Sequence, residues 1–152
     1  MKEENIIDVL QNQHHQIRTY LLDVRKEKKT EKIQACFKQL EEVVQLHFDT
    51  EESVLYDELT ENGTLELERY AQTGKPEHSK IKQLLLSLNS KGVQSDSWSS
   101  TFNELAKKIE GHLNREEKEM FPEIKRVYAD VELKRMAKDF VSKKDTRVQQ
   151  VA

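Results

Sequence analysis

Glycine, proline and cysteine are all scarce in this chain of 152 residues: four, two and one. So few Gly and Pro leave little material for repeated turns. Strand-type alternation of polar and apolar residues is missing too, which excludes a β-rich fold. The single cysteine, Cys36, allows no disulfide within the chain. It reads as a small buried helix residue, and sparing cysteine use fits a reducing compartment, the cytoplasm. No apolar run approaches the ~20 residues of a membrane-spanning helix, and the opening Met-Lys-Glu-Glu-Asn has no signal-peptide character. No basic block or basic–aromatic stripe is present to bind nucleic acid. Net charge is −3 with 35% charged residues, interspersed in sign as on solvated helix faces. The expectation is one cytoplasmic domain, long enough to bury a core without staples, with no nucleic-acid or membrane partner.

What the chain does have is a repeat. His47-x-x-x-Glu51-Glu52 returns sixty-five residues later as His112-x-x-x-Glu116-Glu117. Upstream, Phe37, Leu40 and Val44 precede His47 by the same ten, seven and three residues by which Phe102, Leu105 and Ile109 precede His112. Downstream, Tyr56 matches Phe121. A second pair of segments, His14-x-x-Ile17-Arg18-x-x-Leu21-Leu22 and His78-x-x-Ile81-Lys82-x-x-Leu85-Leu86, matches at an offset of 64. These steps of three and four trace the apolar face of amphipathic helices. Each His, and the Glu four residues after His47 and His112, falls where a core residue belongs. Positions four apart differ by only ~40° around a helix, so His and Glu point the same way.

The chain divides into helices over residues 3–28, 30–59, a short piece at 65–71, a third long helix opening at Pro76, a fourth over 97–127, and a short fifth over 131–142. Thr30 and Ser95 or Asp96 suit N-caps, Asn62-Gly63 ends the second helix, and Pro122 should kink the fourth or mark its final turns. The fold class is all-α: an antiparallel up-down four-helix bundle over residues 1–143 with a short additional C-terminal helix, followed by a disordered tail at 144–152. An approximate internal two-fold axis would gather His14, His47, His78 and His112 around Glu51 and Glu116.

Burying an ionised carboxylate without a partner costs several kcal/mol, and a metal cation neutralises it directly. Imidazole with carboxylate suits iron, manganese or zinc and poorly suits magnesium or calcium. The candidate metal ligands are His14, His47, Glu51, His78, His112 and Glu116. Four imidazole nitrogens and four carboxylate oxygens give each of two metals four bonds, and a six-coordinate iron keeps room for a bridging oxo or hydroxo group and an outside ligand. The rivals are four core histidines held by hydrogen bonds, or a single structural zinc. Glu52 and Glu117 lie ~140° from their histidines and read as a solvated face, the alternative being to support the ligands from behind. Glu58, Glu119 and Glu123 read as exposed at the bundle mouth, Tyr56 and Phe121 as packing, His15 as surface, and Trp98, Phe37 and Phe102 as core.

The order His14 … His47-x-x-x-Glu51 … His78 … His112-x-x-x-Glu116 resembles the hemerythrin-like family, the HHE cation-binding domain, over residues 6–127. The resemblance implies a four-helix bundle around two iron ions, oxo- or hydroxo-bridged, with Mn or Zn as other metals. It makes the four histidines terminal ligands and Glu51 and Glu116 bridges. Oxygen-carrying hemerythrins have a fifth histidine, in a His-x-x-x-His pair on the third helix. Here Gly74 and Lys82 stand four residues either side of His78. The four-His, two-Glu set is more similar to bacterial di-iron proteins that repair iron–sulfur clusters. The implied function is to bind or react with O2, NO or peroxide, in stress response or iron handling. The alternative is an iron-sensing or iron-donating interaction module without turnover.

The stripe through Leu10, Ile17 and Leu21 and the match to His78 both select His14 over its neighbour His15. Substituting His14 should therefore remove at least one metal, while His15→Ala should leave the full complement. Metal analysis of the two purified variants checks this, and the opposite result means that the first helix is rotated by about a quarter turn.

Overall fold

The computed structural model describes residues 3–151, with side chains described for 3–146. Five helices account for nearly all of these residues, and no strand occurs among them. Helix α1 is Ile6–Lys26. Helix α2 is unbroken but composite: Thr30–Thr50, a π-helical segment Glu51–Tyr56, then Asp57–Asn62. Helix α3 is Leu65–Lys91. Helix α4 repeats the composite plan as Trp98–Arg115, a π segment Glu116–Met120 and Phe121–Val127. Helix α5 is Asp130–Val151. None of the described helices is long and apolar enough to cross a membrane.

Local chemistry sets several ends. Asn5 caps α1 by accepting from the Asp8 N–H at 3.0 Å, and Asp8 returns the bond to the Asn5 N–H at 3.3 Å. The side chain of Thr64 accepts from the Leu67 N–H at 3.2 Å and opens α3. Gly92, at φ +77°, closes it in a conformation that disfavours any side chain.

Two of the boundaries read from the sequence are corrected. Residues 65–91 form one helix with Pro76 inside it, not a short piece and a separate helix starting at Pro76. The buried positions Leu67, Ala71, Gly74, His78, Ile81, Leu85 and Leu88 step by four and three without interruption. An interior proline costs ~3 kcal/mol. Fully burying a leucine such as Leu67 returns ~1.5–3 kcal/mol, so a stripe continuing on both sides outweighs the break. Helix α5 runs past Ser142 through most of the stretch expected as a tail; Ala152 lies outside the described residues. Pro122 does not interrupt α4. It directly follows the π segment, where the Phe121 N–H already bonds Glu116 O, five residues back.

The core is in two parts. Ile17, Leu21, Phe37, Leu40, Val44, Ile81, Leu85, Trp98, Phe102, Leu105 and Ile109 fill one. Ile6, Leu10, Leu55, Tyr56, Leu59, Leu67, Ala71, Met120, Phe121 and Ile124 fill the other, with Leu133, Met136, Ala137 and Phe140 of α5. The four histidines and two glutamates occupy the positions in the stripes between them. Helix α5 packs on α1 and α2. The expected bundle mouth is therefore closed by apolar side chains. Glu119 is exposed beside it, whereas Glu58 and Glu123 are half-buried. Cys36 is half-buried at the edge of the other cluster rather than buried.

Gly74 is required by close approach. A Cβ there would meet the Tyr56 hydroxyl at 2.3 Å and its ring at 2.6 Å. Gly74→Ala should destabilise the chain by about 1–3 kcal/mol through overpacking. In a Tyr56→Ala background the added methyl should cost little, so the two changes are non-additive. Denaturant unfolding of the four proteins checks this, and equal costs of Gly74→Ala in both backgrounds would contradict it.

Candidate metal centre

The duplicated π segments begin at the two central carboxylates. Glu51 opens one and Glu116 the other, and the N–H of each bonds back to the carbonyls of the preceding His and its neighbour. A π segment inserts one residue into the regular ladder and turns the following side chains relative to an α-helix. Both Glu51 and Glu116 are wholly buried, as are His14 and His78, with His47 and His112 at 2% exposure. Arg18 of α1 and Arg115 of α4 border this layer, but their guanidinium groups bond to outer carboxylates.

All six residues singled out in the sequence meet here. Their donor atoms fall into two groups of four, His14–His47–Glu51–Glu116 and Glu51–His78–His112–Glu116, each within 4.8 Å of one another. Glu51 and Glu116 are common to both. The His14 Nε2 lies 3.2 Å from Glu116 Oε1, and the His78 Nε2 lies 3.1 Å from Glu51 Oε1. The Nε2 atoms of His14 and His47, both oxygens of Glu51 and Oε1 of Glu116 are buried without a hydrogen-bond partner among the described residues. His15 is exposed on the outside of α1.

The outer ring nitrogens explain why the inner ones are available. His14 Nδ1 faces Glu117 Oε2 at 2.8 Å, His78 Nδ1 faces Glu52 Oε2 at 2.9 Å, and His112 Nδ1 faces Glu77 Oε1 at 2.6 Å. His47 Nδ1 faces the amide oxygen of Gln13. Every partner is an acceptor, so each Nδ1 carries a proton, and each ring presents its Nε2 inward, as a lone pair whenever no second proton occupies it. The Nε2 atoms of His78 and His112 are then 3.0 Å apart. Two lone pairs at that distance repel unless a proton or a metal lies between donors. The donor set fits a pair of cations of the iron, manganese or zinc type: imidazole nitrogen with carboxylate oxygen, buried, oriented and otherwise unsatisfied.

Of this outer ring the sequence reading misses Gln13 and Glu77, and for Glu52 and Glu117 the structure shows the alternative to a solvated face. At ~140° from their own histidines they point sideways, and each meets the histidine of a neighbouring helix, Glu52 on α2 meeting His78 on α3 and Glu117 on α4 meeting His14 on α1. Arg18 clamps Glu117 at 2.8 and 3.1 Å, and Arg115 bonds the outer oxygen of Glu77. The signal was there, since Gln13 and Glu77 each precede a repeated histidine at the same offset of 64. Tyr56 was read as packing. It does stack on His78, as Phe121 stacks on His14, but its hydroxyl also donates to Glu116 Oε2 at 2.6 Å.

The electrostatics follow from these partners. Burial opposes the imidazolium of His14, but Glu116 and Glu117 outweigh it and raise the pKa to about 9. At His112 burial likewise loses to Glu116, Glu51 and Glu77, and the pKa reaches about 10. His78 is also raised, by Glu51 and Glu52 against burial. His47 falls to about 3 because burial, joined by the neighbouring imidazoles, prevails over the charge of Glu51. Burial pushes Glu51 up, yet the surrounding imidazoles hold it well below the usual carboxylate range. Glu117 drops to about 2 because His14 bonds it, with Arg18 adding to the effect against some burial. Burial and the charges of Glu51 and Glu116 hold the Tyr56 proton on.

These shifts give a pH signature for the metal-free chain. His14 and His112 have folded pKa values above the ordinary 6.5. The stability they contribute is complete below pH ~6.5 and is lost as the pH rises through about 9 and 10. His47 acts in the opposite sense, and its contribution is lost as pH falls from ~6.5 towards about 3. Melting temperatures of metal-free protein at constant ionic strength should therefore decline from pH 7 to pH 10. In a His112→Gln variant that decline should be shallower. A flat profile over this range in the parent chain would contradict the raised values.

Comparison with known proteins agrees with this geometry. No curated protein matches the chain. A crystal structure of a hemerythrin HHE cation binding domain-containing protein from Mycobacterium kansasii superimposes with a TM-score of 0.83, covering 94% of this chain and 86% of that one at 20% identity. At that identity the likeness establishes the fold. The family model of the hemerythrin HHE cation binding domain matches residues 5–124, which include all six central ligand candidates. The chain belongs to the hemerythrin HHE cation-binding domain family.

Proposed function

We propose that this protein holds two metal ions, iron foremost with Mn or Zn as substitutes, in an antiparallel up-down four-helix bundle. His14 and His47 would hold one and His78 and His112 the other, with Glu51 and Glu116 bridging. The observation that carries the reading is the pair of four-donor groups sharing both carboxylates. A single zinc would leave half of these buried donors unpaired, at a cost of several kcal/mol. Hydrogen-bonded core histidines do not account for the inward donors that lack partners.

Iron in this site would supply redox chemistry and a coordination position for a small outside ligand. The rest is done by the chain. Glu117, Glu52, Glu77 and Gln13 fix the orientation of the four rings. The apolar clusters on either side exclude bulk water. Tyr56 keeps its proton and donates it in a hydrogen bond to Glu116 Oε2, with its hydroxyl 3.5 Å from His78 Nε2, which orients that carboxylate. A cavity of about 90 Å³ reaches His47. With the six central residues at 2% exposure or less, the site has room only for a small outside ligand, and the class that fits is O2, NO or peroxide. The setting that fits is stress response or iron handling in the cytoplasm.

Metal analysis of protein purified from its own host should give two ions per chain, and Glu51→Ala or Glu116→Ala should lose metal. With no fifth histidine, both irons keep room for water or a second small ligand. The reduced protein should accordingly oxidise in air and stay oxidised when O2 is removed under vacuum, followed in the visible spectrum. Recovery of the ferrous form on evacuation would indicate a reversible oxygen carrier instead. Fewer than two bound ions would remove the basis of the reading.

A further inference from the structure

The internal two-fold extends beyond the six central residues to the groups that hold their outer nitrogens. Glu52 on His78 corresponds to Glu117 on His14, at the offset of 65. Lys82 bonded to Asp49 corresponds to Arg18 bonded to Asn114. Among the four groups that directly hold an outer nitrogen, the chemical character changes at one. Glu77 on His112 corresponds to Gln13 on His47, an anion against a neutral amide. The change is matched behind it. Arg115, which neutralises Glu77, corresponds to Thr50, whose hydroxyl donates to Leu46 O at 2.8 Å. One half thus has an ion-paired carboxylate behind its histidine, and the other has an uncharged pair.

A carboxylate on the outer N–H makes imidazole a stronger metal donor than an amide does, and loss of such a partner costs roughly 10–100-fold in metal affinity. Gln13 is itself buried, and an opening reaches it from outside. It lines the cavity of about 90 Å³ with Gln16, Val43, Leu46, His47 and Lys144. A wider pocket of about 320 Å³ adjoins, also lined by Gln13, Gln16 and Lys144. Neither pocket is lined by any other of the six central residues.

We propose that the two halves hold metal unequally, and that the ion between His14 and His47 is the exchangeable one, entering and leaving past Gln13 beneath the C-terminal half of α5. The inference rests on the two-metal reading above. It gives the chain one retained ion and one that can be passed on or withdrawn, the property an iron-donating or iron-sensing module needs.

The test uses the full chain loaded with zinc, which is redox-inert, and a chromophoric chelator in excess. Release should occur in two equal phases separated by roughly tenfold or more. Gln13→Glu should slow the fast phase towards the slow one, and Gln13→Ala should speed it. The double change Glu77→Gln with Arg115→Thr, which copies the neutral pair into the other half, should speed the slow phase. Gln16→Trp, an exposed substitution at the cavity wall, should slow the fast phase alone. Two zinc ions leaving in a single phase, or a fast phase indifferent to both Gln13 variants, would overturn the inequality. A fast phase unaffected by Gln16→Trp would overturn the route. Failure to load two ions would overturn the two-metal reading itself.

Discussion

Two carboxylates and four imidazoles lie at the centre of this bundle, and the rest of the structure answers the electrostatic problem that they create. A buried carboxylate is tolerated only when something positive meets it. Here the positive groups that could do so from within the chain are turned outward. Arg18 and Arg115 bond Glu117 and Glu77, not Glu51 or Glu116. Inward-facing compensation is left to the imidazoles and to whatever they share the site with. In the metal-free chain that is protons, which is why three of the four histidines gain basicity despite full burial.

Orientation is the second requirement. An imidazole free to flip presents either nitrogen, and a metal site needs the same one each time. The outer acceptors remove that freedom, and they come from helices other than those carrying the rings they hold: Gln13 on α1 serves His47 on α2, and Glu77 on α3 serves His112 on α4. Holding the rings is therefore also a way of holding the helices together, so metal binding and bundle packing draw on the same contacts. The π segments belong to this requirement as well. Each begins at a central glutamate and carries the chain onward to the aromatic residue that lies against a histidine, Tyr56 on His78 and Phe121 on His14.

How much of this could be read from the sequence depended on whether an interaction lies along one helix or between two. The six central residues were legible because each sits on its own helix stripe, and a one-dimensional pattern records that. The choice of His14 over His15 was legible for the same reason: one is wholly buried and the other exposed. The outer positions repeat, Gln13 with Glu77 and Glu52 with Glu117, but their pairings were not legible, because the line from Glu52 to His78 or from Glu77 to His112 crosses between helices and no spacing along one helix records it. The continuity of α3 through Pro76 was hidden differently. Proline is a strong local breaker in any sequence, and the buried stripe at Leu67, Ala71 and Gly74 that overrides it shows only in the packed bundle. The length of α5 past Ser142 escaped because its later residues are polar, and polarity there was read as fraying.

A duplicated half that merely diverged would accumulate unrelated differences. At this centre the differences come in compensating pairs. Where the residue behind the histidine is Glu77, an arginine neutralises it; where it is Gln13, the corresponding position is Thr50. Where the aromatic residue bears a hydroxyl, Tyr56, the residue facing it is Gly74; the corresponding Phe121 shares its cluster with Leu10, which stands where Gly74 would be. Changing one residue of a pair alone would leave a half-buried arginine without its carboxylate or two atoms overlapping. Both compensated differences enrich the same half. The His78–His112 side has the extra carboxylate and the extra hydroxyl, and the His14–His47 side has an amide and a phenyl ring in their places. Two ions set between such halves would not be equivalent, although the central ligands on each side are the same in kind and number.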